Sequence, residues 1–482
     1  MEKIELKPAS VFHYFEEICK VPRPSKKEEK IIAYLMKFAE EQGLEAKKDE
    51  AGNILMKKPA TPGKENLKTV ILQSHIDMVC EKNSDSTHDF LNDPIETYID
   101  GEWLKAKGTT LGADNGIGMA AQLAVLAAND IEHGPIECLF TVDEETGLTG
   151  AFALKEGFMD GDILINLDSE DEGEIFIGCA GGIDTTVDLT FGKDCVEKDT
   201  TAFIIKVSGL KGGHSGDDIN KGLGCANKII TRILWRATDE LGLRIAKIDG
   251  GNLRNAIARE AYAIITIPSK NAETWKSNVE AFEKAVQYEF RTTEPNLKVT
   301  TECTDMPAYL MDCKTQANLL NALYACAHGV LAMSREIPNF VETSTNLASV
   351  KMDDEKIYIT TSQRSSVESA KRAAAEKIEA TFRLIGAHVT HGDGYPGWTP
   401  NPDSKILKTA VDAYQRLFGK QPIVRAIHAG LECGLIGEKY EGMDMISYGP
   451  TLRGVHSPDE RVEIKTVEMF WQHTLEILKS IQ

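Results

Sequence analysis

Apolar positions along the chain alternate between two periods. They recur at helical spacing over residues 8–19 and 26–42, with Ser25 as candidate N-cap, Glu28 as its capping-box partner and Gly43 as the stop. Short strands are predicted at 45–48 and 53–57. Residues 68–74, KTVILQS, have the apolar centre of a strand buried on both faces, and the chain then enters His75-Ile76-Asp77. A Gly-rich turn opens the small-residue helix 112–128 with Asp114 at its entrance. Apolar strands at 136–142 and 163–167 deliver Asp143-Glu144-Glu145 and Asp168, and a strand at 443–448 leads to a loop that ends in His456 and its neighbours. A helix over 465–481 closes the chain.

Between 201 and 391 the texture changes. Strand-like runs at 202–208, 244–249, 261–268 and 297–303 enclose helices at 223–240 and 272–290, and the order βαββαβ is that of a ferredoxin-like unit. A second, partial round follows: helix 316–333, strands 342–351 and 356–362, helix 367–385, strand 388–391. This predicts an inserted domain built as a degenerate duplication, on element order alone. Gly, Pro and charge at 182–199 and 392–403 suit hinges. The expected division is a first catalytic part over 1–185, an inserted domain over 186–391 and a second catalytic part over 392–482.

Composition narrows the classes of function. A chain of 482 residues is too long for one compact core. Its 42% hydrophobic and 27% charged residues are those of an ordinary soluble protein, and no apolar run is long enough for a membrane span. A formal net charge of −20, with no basic stripe, argues against nucleic acid or an anionic membrane as partner. The N-terminal stretch MEKIELKPASVFHYFEEICK is charged and helix-like and lacks the apolar core of a signal peptide. The ten cysteines show no C-x-x-C pair, which fits reduced thiols, so a cytoplasmic location is expected.

Charge placement carries the candidate chemistry. Three adjacent acids at the mouth of an apolar strand repel one another, and a cation there makes the arrangement sensible. Taken alone, DEETG reads first as a solvated turn closed by Gly147. The pattern recurs, however: a strand followed by His75, by Glu144/Glu145, by Asp168 and, after a longer loop, by His456. In open α/β sheets ligands bind beyond the carboxyl ends of the strands, so a metal site is the economical explanation. Mixed imidazole and carboxylate ligands suit zinc, with manganese or cobalt as alternatives, and no cysteine stands at these strand ends.

The stretches SHIDMVCEK, GTTLGADNGIGMA, FTVDEETGLTGA, NLDSEDEGE and HSPDE resemble, in order, the motifs of the aminoacylase/carboxypeptidase-like dinuclear zinc peptidases, and most of all their aminoacyl-histidine dipeptidase branch. The resemblance extends to GLKGGHSG, NAIARE and HAGLECG and so covers nearly the whole chain. It implies an α/β fold: a mixed-sheet catalytic domain of zinc exopeptidase type with an inserted α+β lid of ferredoxin-like elements. It further implies that His75 and Asp168 bind one metal, Glu145 and His456 the other, and that Asp114 bridges both. Glu144 would be the general base, Asp77 the acid beside the first ligand, and the lid the contact of a homodimer.

Elementary chemistry agrees with these roles. A two-oxygen carboxylate such as Asp114 can reach two metals about 3.5–4 Å apart. Glu144 can take the proton of an acidified water and pass it to a leaving amine, and Asp77 can accept the second N–H of His75 and fix its tautomer. Substrate contacts are expected from His214, whose imidazole can reach a developing oxyanion, and from Arg364 with Asn255, which can bind a terminal carboxylate. Glu432 can hold a free amino group, and His428 lines the same pocket.

Other signals are set aside. Gly112-x-x-x-Gly116-x-Gly118 has neither Rossmann nor P-loop spacing. Ser215 beside His214 lacks a third triad partner. Asp353-Asp354-Glu355 lies between two strand-like runs and reads as a hairpin turn. The sequence therefore predicts a two-metal dipeptidase acting on unblocked dipeptides, Xaa-His among them. The alternatives are an N-acyl amino acid deacylase or amidase with the same metals, and a non-catalytic peptide-binding protein.

Overall fold

A computed structural model describes residues 6–481. Residues 1–5, which begin the charged N-terminal stretch, and Gln482 lie outside the described residues. The chain divides into two compact units: one holds residues up to Gly178, Trp398–Ala426 and the chain from Leu431 on, the other Cys179–Gly397 and Ile427–Gly430. No helix among the described residues is long and apolar enough to cross a membrane.

The first unit begins with helices α1 (Ala9–Cys19) and α2 (Glu29–Gln42). Val11, Phe12, Phe15 and Ile18 form the buried stripe of α1. Gly43 ends α2 in the left-handed region, at φ +65°. The expected Ser25 cap is not formed. Its hydroxyl donates to Asp77 Oδ2 (2.8 Å), while Glu28 Oε1 accepts from Lys26 N (2.9 Å) and Asp143 N (3.1 Å). A buried carboxylate elsewhere in the unit outcompetes the local helix end.

The elements that follow are β1 (Glu45–Lys48), β2 (Ile54–Lys58), β3 (Val70–His75), β4 (Thr97–Asp100), β5 (Trp103–Ala106), α3 (Ala113–Ala127), β6 (Ile136–Thr141), α4 (Thr149–Ala153), β7 (Ile163–Asn166) and β8 (Glu174–Cys179). Every residue of β3 and β6 is buried, as expected of parallel strands covered on both faces. Helix α3 packs on α1 and β3. Its buried Gln122 donates to the carbonyls of Leu72 (2.7 Å) and Leu139 (3.1 Å) and accepts from the Ser74 hydroxyl.

The second unit opens with β9 (Gly181–Thr190), within the stretch whose composition suits a hinge. Its burial alternates from Val187 onward, with Thr and Asp facing outward, so the polar residues mark an exposed face and not a linker. Next come β10 (Lys193–Asp194), β11 (Thr200–Ser208), α5 (Ala226–Leu241), β12 (Arg244–Gly250), β13 (Ala261–Pro268), α6 (Ala272–Glu289), β14 (Lys298–Cys303), β15 (Leu310–Met311), α7 (Cys313–Ala325), β16 (Gly329–Met333), β17 (Val341–Met352), β18 (Lys356–Ser365), α8 (Glu368–Arg383) and β19 (His388–His391). The helix expected over 316–333 stops at Ala325, and a strand follows. Gly329 at φ +99° cannot continue a helix, and VLAM pairs with β17 instead.

The large sheet of this unit runs β14-β11-β13-β12-β17-β18-β9-β19, with β16 also on β17. Taken in chain order, β11-α5-β12-β13-α6-β14 is a complete βαββαβ unit. The second round is complete too, because β9 supplies its first strand: β9, α7, β17, β18, α8, β19. The two halves have the same strand order in opposite directions and meet where Gly250 of β12 pairs with Val350 of β17. Trp275, Phe203 and Phe382 are fully buried in their shared core. Residues 353–355 form the expected turn between β17 and β18, with Asp353 Oδ1 accepting from Glu355 N (2.8 Å) and Lys356 N (2.7 Å).

The chain returns to the first unit as α9 (Lys405–Phe418), β20 (Ile423–Ile427), α10 (Glu432–Lys439), β21 (Asp444–Ser447), β22 (Leu452–Arg453), β23 (Arg461–Glu463) and α11 (Ile464–Ser480). Its main sheet runs β1-β2-β6-β3-β7-β21-β8-β20. The central strands β6, β3, β7 and β21 are parallel, and their carboxyl ends are level: His75 lies opposite Thr141, and Asn166 opposite both Gln73 and Ser447. Replacing Gln122 with Leu should cost roughly 1–3 kcal/mol, since it strips partners from buried polar groups on β3 and β6. Chemical denaturation measures this, and an unchanged midpoint would exclude that anchoring role.

Candidate metal centre

The level strand ends bring His75, Glu144, Glu145 and Asp168 to one edge of the first unit. Asp114 sits at the start of α3, where the backbone leaves helical geometry. It splits its two oxygens. Oδ1 lies 3.0 Å from His75 Nε2, and Oδ2 lies 3.2 Å from His456 Nε2. Asp168 Oδ1 stands 3.4 Å from His75 Nε2, and Glu145 Oε2 stands 3.0 Å from His456 Nε2. His75, Asp114 and Glu145 each offer a ligand atom, all within 4.8 Å of one another.

This donor set fits two divalent cations. Each half offers an imidazole and a carboxylate, and Asp114 offers one oxygen to each half. Glu145 Oε1 is buried without a hydrogen-bond partner, as an oxygen awaiting a cation would be. Asp77 serves the geometry from behind. Its Oδ1 lies 3.2 Å from His75 Nδ1 and accepts from Glu144 N (3.0 Å), while Oδ2 accepts from Glu145 N (3.2 Å) and from Ser25. One carboxylate thereby stands beside the imidazole and holds the two-glutamate loop. Asp143 turns away: it accepts from Thr146 Oγ1 (2.5 Å) and from the Thr149 hydroxyl.

Crowding sets the proton affinities. Burial pushes the Glu144 carboxyl well above the usual carboxylate range, and pushes Asp168 up to about 6. Burial alone would raise Asp114 as well, but hydrogen bonds from His456 and His75 hold it well below that range. Hydrogen bonds to Asp114 and Glu145 raise His456 to about 11. His75 is also raised, its carboxylate neighbours outweighing its burial.

One layer below these residues lies a belt of fully buried polar side chains. Thr141 Oγ1 (2.7 Å) and Gln73 Nε2 (2.6 Å) donate to Glu432 Oε2; Asn166 Nδ2 donates to Gln73 Oε1 (2.5 Å); Ser447 Oγ donates to Asn166 Oδ1 (2.5 Å). The belt crosses all four parallel strands. Glu432, read from sequence as an acid in a Gly-rich loop, is wholly buried at the start of α10, and burial raises it to about 7. Its Oε1 has no hydrogen-bond partner.

A sequence profile described as peptidase family M20/M25/M40 matches residues 71–479. The chain belongs to that family. A cytosol non-specific dipeptidase of Escherichia coli K12 is 44% identical over 480 residues, covering 100% of this chain and 99% of the relative. The crystal structure of an aminoacylhistidine dipeptidase from Vibrio alginolyticus superposes with a TM-score of 0.93 at 45% identity, covering 99% of this chain and 97% of that one. A Staphylococcus aureus tripeptidase at 18% identity, with a TM-score of 0.57 and coverage of 98% and 97%, shares the fold.

The remaining candidates of this M20/M25/M40 peptidase lie in the second unit, which brings three of them together. Arg364, near the end of β18, is 8% exposed; its Nη1 donates to Tyr395 Oη (2.9 Å) and its Nε has no hydrogen-bond partner. Its charge, added to burial, lowers the pKa of His214 and lowers that of His428 to about 3. His428 Nε2 lies 2.7 Å from Ser344 Oγ. His214 Nδ1 accepts from Gly216 N and Asp217 N, each at 3.3 Å, which leaves Nε2 to carry the proton. Asn255 differs: its side chain is exposed, and its carbonyl accepts from Ser215 N (2.8 Å).

Sequence reasoning missed Ser25, Tyr395 and the belt residues Thr141, Gln73, Asn166 and Ser447. Gln73 and Asn166 had a signal, since an amide inside a short apolar run is out of place unless another buried group needs it. Tyr395 had none, because its partner Arg364 is distant in the chain.

A pH dependence follows for protein stripped of metal. His75, His456, Asp168 and Glu432 have folded pKa values above their unfolded ones, so they stabilise the fold at low pH and lose that contribution as pH rises through the folded values. The melting temperature of chelated protein should fall as pH rises, between about pH 4 and about pH 7 through Asp168 and Glu432 and between about pH 6.5 and about pH 11 through His456. Divalent metal should restore it. A flat profile in the chelated protein would contradict the charge arrangement.

Proposed function

We propose that this metallopeptidase hydrolyses unblocked dipeptides, Xaa-His among them, with Glu144 moving the proton. The observation that carries the ligand assignment is the division of Asp114 between His75 and His456. His75 and Asp168 would hold one cation and Glu145 and His456 the other, with Asp114 offering an oxygen to each. The bound pair supplies Lewis acidity toward water and toward a peptide carbonyl. Zinc is the expected metal, with manganese and cobalt as alternatives.

The side chains supply the rest. Glu144, half-buried and with a raised pKa, takes a proton from water and hands it to the leaving amine. Asp77 keeps His75 in one tautomer and holds the backbone of Glu144 and Glu145 in place. His214, neutral with its proton on Nε2, donates to the developing oxyanion. Arg364 with Asn255 binds the substrate carboxylate, and Glu432 holds the free amine in the pocket that His428 lines. An enzyme that grips both ends of its substrate is confined to short peptides, in keeping with the Escherichia coli and Vibrio alginolyticus relatives, which are named dipeptidases. The inserted domain, taken as 186–391, acts as lid and homodimer contact, and the protein works in the cytoplasm, like the relative named a cytosol dipeptidase.

Zinc-, manganese- or cobalt-loaded protein should cleave Ala-His and other unblocked dipeptides and lose activity with a chelator. Cleavage of N-acetylated amino acids instead would favour the deacylase. Glu144→Gln should retain metal and fold while kcat falls by about 10²–10⁴-fold, the usual worth of a positioned general base. Residual activity near the parent level would remove that role. Arg364→Lys should raise KM by about 10-fold, since a forked, charge-assisted contact is lost; an unchanged KM would place the carboxylate elsewhere.

A further inference from the structure

Two buried charged residues outside the ligand set grip the peptide that presents Asp114. Glu460 is 2% exposed and accepts four backbone N–H groups. Leu111 N (2.8 Å) and Gly112 N (2.9 Å) donate to its Oε2; Ala113 N (2.8 Å) and Asp114 N (3.3 Å) donate to its Oε1. Helix α3 has no side-chain cap at its N-cap residue, Gly112, so the donors that open it are served from the far end of the chain. Arg23, also 2% exposed, grips the carbonyl side: Nη1 donates to Ile76 O (3.1 Å) and Asp77 O (2.7 Å), and Nη2 donates to Gly112 O (2.5 Å). Gly112 has φ +68°, and a Cβ there would lie 2.6 Å from Arg23 Nη2 and 2.9 Å from Met78 Sδ. Only glycine fits between these two grips.

We propose that Glu460 and Arg23 are positioning residues that hold Asp114 and the two histidine loops in metal-binding register before any ion arrives. Glu460 stands four residues after His456, so it ties the His456 loop directly to the Asp114 peptide. Arg23 ties that peptide to the His75–Asp77 turn. Ligand carboxylates repel one another, and a loop free to relax would move them apart; groups behind the ligands prevent this. The four N–H donors fill both carboxyl oxygens and leave no acceptor for a carboxyl proton, so the geometry requires the carboxylate. The proposal rests on the ligand assignment above.

The test is a metal titration of chelator-stripped protein with Co²⁺, read by the visible cobalt spectrum and by competition with a chelator, beside kcat and KM. Glu460→Gln turns an NH₂ toward N–H donors. The second ion should bind about 10–100-fold more weakly, the usual effect of losing a group behind a metal ligand, with an altered spectrum. Turnover should fall through kcat, with KM little changed. Glu463→Gln, three residues on, should match the parent. If Glu460→Gln does not fold, Glu460→Asp retains the charge but draws it back from the four N–H groups, and the same weakening is expected. Parent-like affinity and spectrum in the folded variant would overturn the proposal. His456→Ala runs in parallel: loss of one ion supports the ligand assignment, and retention of both would remove that assignment and the proposal with it.

Discussion

Asp114 stands between two imidazoles, with one oxygen toward each, and the first unit is arranged to keep it there. Several carboxylates share this edge of the sheet, and their mutual repulsion is the constraint that the surrounding structure must answer. Imidazoles face Asp114, Asp168 and Glu145 directly. Backbone N–H groups meet Asp77 and Glu460, which stand behind the ligands. Arg23 adds a buried positive charge at the joint between two ligand loops. Asp77, Glu460 and Arg23 are buried, away from the water and salt that would weaken their contacts, whereas the His456 side chain is about half exposed.

A parallel sheet makes such a site possible because its strands end at one edge. The belt from Thr141 through Gln73 and Asn166 to Ser447 shows what that edge demands. Polar side chains buried on four adjacent strands are tolerable only when each is paired with the next, and pairing them locks the relative height of the strand ends. The ligand loops therefore start from a rigid ledge. Glu432 terminates the belt with one oxygen engaged and one without a partner, a poised acceptor in a place otherwise closed to water.

The second unit follows a different logic. Its sheet is antiparallel throughout, and its two halves repeat one βαββαβ order in mirror sequence along the sheet. The second half takes its first strand, β9, from before the first half begins. A duplication interrupted in this way has no contiguous signature in the chain, although each half is locally ordinary. Within it, Arg364, His214 and His428 share one neighbourhood, and burial, with the arginine's charge added, lowers the pKa of both histidines.

Much of this was legible in the chain itself. The strands running into His75, Glu144 and Asp168 could be read because apolar runs buried on two faces leave a local pattern, and the acids at their ends break it. The first βαββαβ unit was legible for the same reason. What was not legible depended on distant partners. Ser25 has every local mark of a helix cap and instead binds Asp77; the stretch around 181–190 reads as a hinge until β18 and β19 lie beside it. Residues 316–333 read as one helix until β17 offers a strand partner. Local periodicity determines which segments become strands and helices and where chemistry is placed along them. Only tertiary contact decides which polar group satisfies which, because a buried donor takes whatever acceptor the fold brings within reach, and sequence distance has no bearing on that choice.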